Sequence, residues 1–233
     1  MSLHTIVDSL PRVLFRTFAD VDLEYARAFA HGGELRVGEI ETYRGIGGER
    51  EDADESTSFA LVPGMIPTVV VNIPSMEIAD VSETSGHFNQ QASFCNPTYI
   101  SCFSTSAADV AEIRRRFGRW SVAIRSIDVF IERVAAAFST FTPLENEPYF
   151  LEAFPVHYNR GNVLTEAQLK AIGVRLRYGQ KSSEFSCESE FRIAAIYGGV
   201  RSEIPSHAFL QIEIPAGMCE IIDLQELRAL PAF

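Results

Sequence analysis

Apolar and polar residues alternate along some stretches of this chain and recur at helical spacing along others, so the pattern predicts strands and helices in mixed order. Residues 13–18 read as a first strand in which Arg16 is the polar exception, with Pro11 making its start irregular. Residues 20–33 read as a helix. Asp20 or Asp22 caps it, Leu23, Ala26 and Ala30 form its buried stripe, and Gly32 and Gly33 end it. Residues 34–38 form a short strand, residues 68–73 a clear one, and residues 75–82 alternate as a half-buried strand should. Residues 84–97 are polar and read as loop. Residues 98–106 form a buried strand ending in the hydroxyls Ser104, Thr105 and Ser106, and residues 107–117 continue as a helix that Ser106 and Asp109 suit as caps. A strand at 120–125 and an amphipathic helix at 128–138 follow, the latter with Val129, Ile131, Val134 and Ala135 as core candidates. A long strand at 149–158, a short helix at 165–172, strands at 207–214 and 219–222, and a C-terminal helix at 223–230 complete the reading. Strands at both ends with helices between them predict one α+β domain over residues 1–233, with mixed or antiparallel sheets and flanking helices.

One stretch carries more chemistry than the rest. Residues 181–197 begin polar and turn apolar, and their second half reads as a strand. Successive strand side chains point to opposite faces, so Glu188, Glu190 and Arg192 are expected on one face and Ser189, Phe191 and Ile193 on the other. Neighbouring same-face carboxylates repel, and such a pair is tolerated where a cation or a ligand answers it. Their expected separation of about 6.5–7 Å along a strand also suits an acid–base pair. The alternative is a salt-bridged strand in which Glu188 pairs with Arg192 and Lys181 with Glu184.

Charge and composition narrow the classes. The 233 residues carry 31 acids against 20 bases, a formal charge of -11, which repels phosphate backbones and argues against non-specific nucleic-acid binding. The arginines 114, 115, 116 and 119 fan out over a helix end and read as solvated, suiting the helix dipole. No apolar run approaches the roughly 20 residues of a membrane span, and no signal peptide is visible, so a cytoplasmic protein without membrane partners is expected. Cys95, Cys102, Cys187 and Cys219 lack zinc or redox spacing and read as buried free thiols. His87 has no ligand partner in sequence, and Asp52, Asp54 and Glu55 lack the rest of a calcium loop, so no metal site is expected.

Two resemblances follow from the motifs. Tyr43-Arg44, Arg50 to Glu55, Cys102-Phe103-Ser104, Lys181 with Phe185, and Glu188 to Arg192 together resemble the bacterial proteins called domain of unknown function 2971. The Trp and His-Tyr-Ala usual after the Phe-Ser are absent here. The chain is also similar to ADP-ribosyltransferases of the Arg–Ser–Glu type. Arg16 lies on the first strand, Ser104-Thr105-Ser106 end a later one, and Glu188-Ser189-Glu190 open another. That likeness implies split sheets, NAD as substrate and no metal. It further implies that Glu190 stabilises the charge developing on the ribose and that Glu188 orients the acceptor. Arg16 would hold the dinucleotide phosphates, Ser104 would tie the acidic strand to its neighbour, and Tyr43 would stack on nicotinamide. The partner would be a small-molecule dinucleotide or a protein acceptor. A non-catalytic ligand- or protein-binding domain of a bacterial defence or regulatory system is the competing reading. A carboxylate-pair hydrolase is a further one. The transferase reading requires Arg16, Ser104 and Glu190 to meet in one cleft.

Overall fold

The computed structural model describes residues 5–7, 10–19, 22–40, 57–63, 76–84, 87–94, 97–141, 149–158, 178–197 and 207–231. The expected strand at 68–73, the expected helix at 165–172, Tyr43 and the acidic loop around it all lie outside these residues.

The strands, in chain order, are β1 (Thr5–Val7), β2 (Leu14–Phe18), β3 (Glu34–Glu39), β4 (Thr57–Pro63), β5 (Met76–Thr84), β6 (His87–Phe94), β7 (Thr98–Ser104), β8 (Trp120–Ile124), β9 (Tyr149–Pro155), β10 (Glu190–Tyr197), β11 (His207–Gln211) and β12 (Cys219–Asp223). The α-helices are α1 (Leu23–Ala30), α2 (Val110–Phe117) and α3 (Ile127–Ser139), and a 3-10 turn spans Ser183–Glu188. Nine strands form one sheet in the order β1–β9–β10–β7–β2–β8–β12, with β3 also on β7 and β11 on β3. The β1–β9 contact is parallel and the others are antiparallel. A second, antiparallel sheet has the order β4–β6–β5. The α+β class expected from the pattern is the class observed.

Two elements depart from the sequence reading. Residues 87–94 form a strand paired with β4 and β5, where the polar sequence predicted a loop. Residues 224–230 make turns rather than a helix. Asp223 ends β12, and its carboxylate accepts from Arg119 and from the Gln225 amide, so the expected cap serves a turn. Leu224, Leu227 and Leu230 reach the core from this segment without a helix, and so short a segment gains little from helix formation alone.

The largest core covers one face of the nine-stranded sheet. α3 presents Ile127, Phe130, Ile131, Val134, Ala135 and Phe138 at helical spacing, and α1 adds Ala26, Phe29 and Ala30. These pack on Leu14, Phe103, Val122, Phe191 and Ile193. The opposite face carries two smaller clusters. One joins α2 (Val110, Ile113) to Val13, Phe15 and Ala123, and the other holds Ile100, Phe154, Tyr178, Ala194 and Ile196. Along that face the polar residues Ser104, Glu190, Cys102 and Arg192 lie between the two clusters in register.

β7 also marks a branch. One edge pairs along its length with β10, while the other meets β3 at Tyr99 and Ile100 and β2 at Ser104. Where β2 and β3 diverge, side chains replace strand pairing: an Arg16 Nη donates to the Cys102 carbonyl at 2.6 Å and to Ser101 Oγ at 3.4 Å, and Ser101 Oγ donates to the Arg36 carbonyl at 3.5 Å. A carbonyl at a gap in a sheet needs such a donor.

Candidate functional site

The acidic mouth of β10 is built by a short relay of local structure. The Tyr178–Ser182 segment docks on the end of β9, with His157 N–H donating to the Gly179 carbonyl at 2.8 Å and Lys181 N–H to the His157 carbonyl at 3.0 Å. The 3-10 turn follows and buries Phe185 and Glu188, which its three-residue period places on one side. Ser189 then takes a left-handed conformation, φ 41° and ψ 54°, and β10 begins at Glu190. Backbone bonds clamp this junction to the end of β7 and the start of α2. Thr105 N–H donates to the Ser189 carbonyl at 3.0 Å, and Asp109 N–H to the Cys187 carbonyl at 2.9 Å. The expectation that Glu188 lies in the strand beside Glu190 is therefore corrected: one residue of reversed backbone separates them.

Both carboxylates nonetheless converge. Lys181 Nζ lies 2.8 Å from Glu188 Oε2 and 2.7 Å from Glu190 Oε2. Arg192 Nε is 2.6 Å from Glu190 Oε1, and an Arg116 Nη is 3.3 Å from Glu188 Oε1. Each of the four carboxylate oxygens thus faces a cation. The group is enclosed, with Arg192 1%, Glu188 3%, Glu190 5% and Lys181 8% exposed. A second Arg192 nitrogen donates to the Tyr178 carbonyl at 2.6 Å, and Tyr178 Oη donates to the buried Glu152 at 2.8 Å. Phe185 is flanked by two cations, Lys181 Nζ at 5.1 Å and the Arg116 guanidinium at 5.2 Å from its ring centre. The Glu190 amide donates to Tyr158 Oη at 2.6 Å.

The two carboxyls are pushed apart electrostatically. Burial penalises the charged form of Glu190, but Arg192 and then Lys181 outweigh it and hold the carboxyl far below the usual range. For Glu188, burial prevails: with the Glu190 charge it raises the carboxyl above its ordinary value despite Lys181. Burial and the Glu190 charge also raise the Cys102 thiol and the Tyr158 phenol, so neither is set up as an anionic nucleophile.

The sequence candidates divide clearly. Ser104 lies directly opposite Glu190 across the β7–β10 ladder, and Phe15 lies opposite Ser104 across β2–β7. Thr105 is partly exposed and Ser106 exposed at the rim, and Thr105 Oγ1 accepts from the Ala107 amide at 3.4 Å. Arg16 is not brought to the carboxylates. It shares its face with Val122 and Phe103, whose ring its guanidinium overlies at 5.7 Å, whereas Glu190 shares the other face with Ser104. Its guanidinium holds the strand branch, so the expected phosphate-holding role is corrected on geometry. Glu188 pairs with Arg116 rather than Arg192, and Lys181 takes both carboxylates rather than Glu184. The arginine-rich turn is likewise only partly solvated. Arg115 and Arg116 hold Glu112, Arg119 holds Asp223, and Arg116 reaches the site. Cys102, Cys187 and Cys219 are free thiols in residues of intermediate exposure, the Cys102 thiol itself being shielded beside Glu190, and Cys95 lies outside the described residues.

Among the described residues no cluster of three or more His, Cys, Asp or Glu could hold a metal ion, and no helix is long and apolar enough to cross a membrane. Comparison of the chain with family models, with curated proteins and with solved structures finds no match.

Proposed function

We propose that the chain is a cytoplasmic, NAD-using ADP-ribosyltransferase-like protein of bacterial type whose reacting groups gather at the mouth of β10. One observation supports this reading, Ser104 lying opposite Glu190 across β7–β10; the single cleft with Arg16 is not formed, because Arg16 takes the other face of the sheet, so dinucleotide phosphates would need another cation. In the reaction, the bond between the ribose carbon and the nicotinamide nitrogen breaks and its electron pair leaves with neutral nicotinamide. A protein acceptor or water bonds to that carbon and loses a proton. Glu190, held ionised, supplies negative charge where positive charge develops, which is the strongest contribution a fixed carboxylate can make. Glu188, with its raised pKa, is the group suited to exchange a proton with the acceptor.

A second reading is favoured by a specific observation. All four oxygens of the pair already face cations, which suits a non-catalytic ligand- or protein-binding domain with a structural ion network. Thermal shift with NAD and nicotinamide release by the wild type and Glu190→Gln separate the two. The transferase reading expects an NAD-induced rise in Tm and a release rate that falls at least about 100-fold in Glu190→Gln. The binding-domain reading expects neither.

A further inference from the structure

We propose that Lys181 is an internal latch, an ammonium that occupies the acidic pair and keeps it from an external cationic group until it is displaced. This rests on the reading of the pair as the reactive site. Three cations surround two carboxylates, and each carboxylate has an arginine besides the lysine: Arg192 holds Glu190 and Arg116 reaches Glu188. Arg116 is shared, its Nε 2.6 Å from Glu112 beside Arg115 and an Nη 3.3 Å from Glu188, so Arg115, Arg116, Arg192 and Lys181 are four cations against the three acids Glu112, Glu188 and Glu190. Lys181 is therefore the surplus charge, and it alone bridges both acids.

Its placement suits removal. Arg192 is anchored in the middle of the sheet and Arg116 on α2, but Lys181 belongs to neither helix nor strand. Two backbone bonds to His157 tie its segment to the end of β9. The Phe185 face, 5.1 Å from Nζ, gives the ammonium an alternative partner when it leaves the carboxylates. A lysine is also the cation suited to such exchange, being a point charge on a flexible stem, whereas a forked guanidinium holds its partner at two points.

The latch is tested by labelling Glu188 with carbodiimide and a small amine in the wild type, Lys181→Met and Lys181→Arg, read by peptide mass spectrometry. Labelling rises about tenfold or more in Lys181→Met and stays at the wild-type level in Lys181→Arg, which keeps the charge. Unchanged labelling in a folded Lys181→Met overturns the latch, whatever NAD does. Increased labelling with no NAD binding or cleavage by any variant leaves the latch standing and removes the transferase reading. If Lys181→Met does not fold, the wild type supplies the test through acetylation of Lys181 with acetic anhydride. A latch opens locally, so acetylation outruns global unfolding at least about tenfold. Acetylation at the rate of global unfolding overturns the proposal.

Discussion

Glu188 and Glu190 share one ammonium yet titrate in opposite directions, and stability should report both. Glu190 binds its proton more weakly when folded than when unfolded, so it contributes stability above the ordinary value of 4.5 that is lost as pH falls below it. Glu188 binds its proton more tightly when folded, so its contribution is greatest below 4.5 and declines as pH rises through its raised folded value. Glu188→Gln should therefore flatten the decline above 4.5, and Glu190→Gln should remove the loss below it, as read from urea unfolding across pH. At neutral pH Glu190→Gln should also cost about 3–5 kcal/mol, because it leaves Arg192 buried without its anion. Arg16 gives an independent check. If it holds the strand branch, Arg16→Ala costs about 1–3 kcal/mol through the Cys102 carbonyl and leaves NAD affinity unchanged in calorimetry. A phosphate-holding arginine would show the reverse. The acidic pair was legible in the sequence because like charges two residues apart need an explanation. Lys181 was legible as a motif residue beside Phe185 but not as the partner of both acids, and Arg116 and Tyr158 were not legible as site residues, since nothing local in the chain says which cation or phenol will reach a carboxylate.

Two short connections position the site. Ser189 is the sole non-glycine residue at positive φ among the described residues, and it lies between the two acids. Ser189→Val should cost about 1–3 kcal/mol, since a β-branched side chain fits this conformation worst, while Ser189→Gly should be close to neutral in thermal unfolding. Gly118 ends α2 with φ 121°, and a Cβ there would lie 2.3 Å from the Phe18 carbonyl oxygen. Gly118→Ala should therefore cost about 2–3 kcal/mol and loosen the turn that carries Arg116. Asp109 caps the other end of α2, accepting from the Ala111 and Glu112 amides at 2.9 and 3.2 Å. The helix itself was legible from its apolar spacing, but it begins at Val110 rather than at residue 107, with Asp109 and not Ser106 at its N-cap. The 3-10 turn was not, because the alternation of β10 extrapolates smoothly backwards through Glu188 and hides the reversal at Ser189. The strand at 87–94 was missed for a different reason, the consecutive amides Asn89, Gln90 and Gln91 reading as loop.

At the scale of the molecule, the informative feature is the neighbourhood of β2, β7 and β10. Their motifs are separated by nearly ninety residues at each step, and pairing across such distances is fixed by the whole sheet rather than by any segment. Sequence spacing supplied the α+β class and most elements, but not which strands adjoin or which face each motif occupies. That distinction decides the site: Ser104 and Glu190 share a face, and Arg16 has the other. The same arrangement makes the ion network a lock between the β9 end, β10 and α2. The measurement that bears most directly on the whole account is nicotinamide release from NAD by the wild type, Lys181→Met and Lys181→Met/Glu190→Gln. The account predicts that Lys181→Met outpaces the wild type about tenfold and that the added Glu190→Gln abolishes the gain. Release that is absent from all three proteins, or equally fast with and without Glu190, would contradict it.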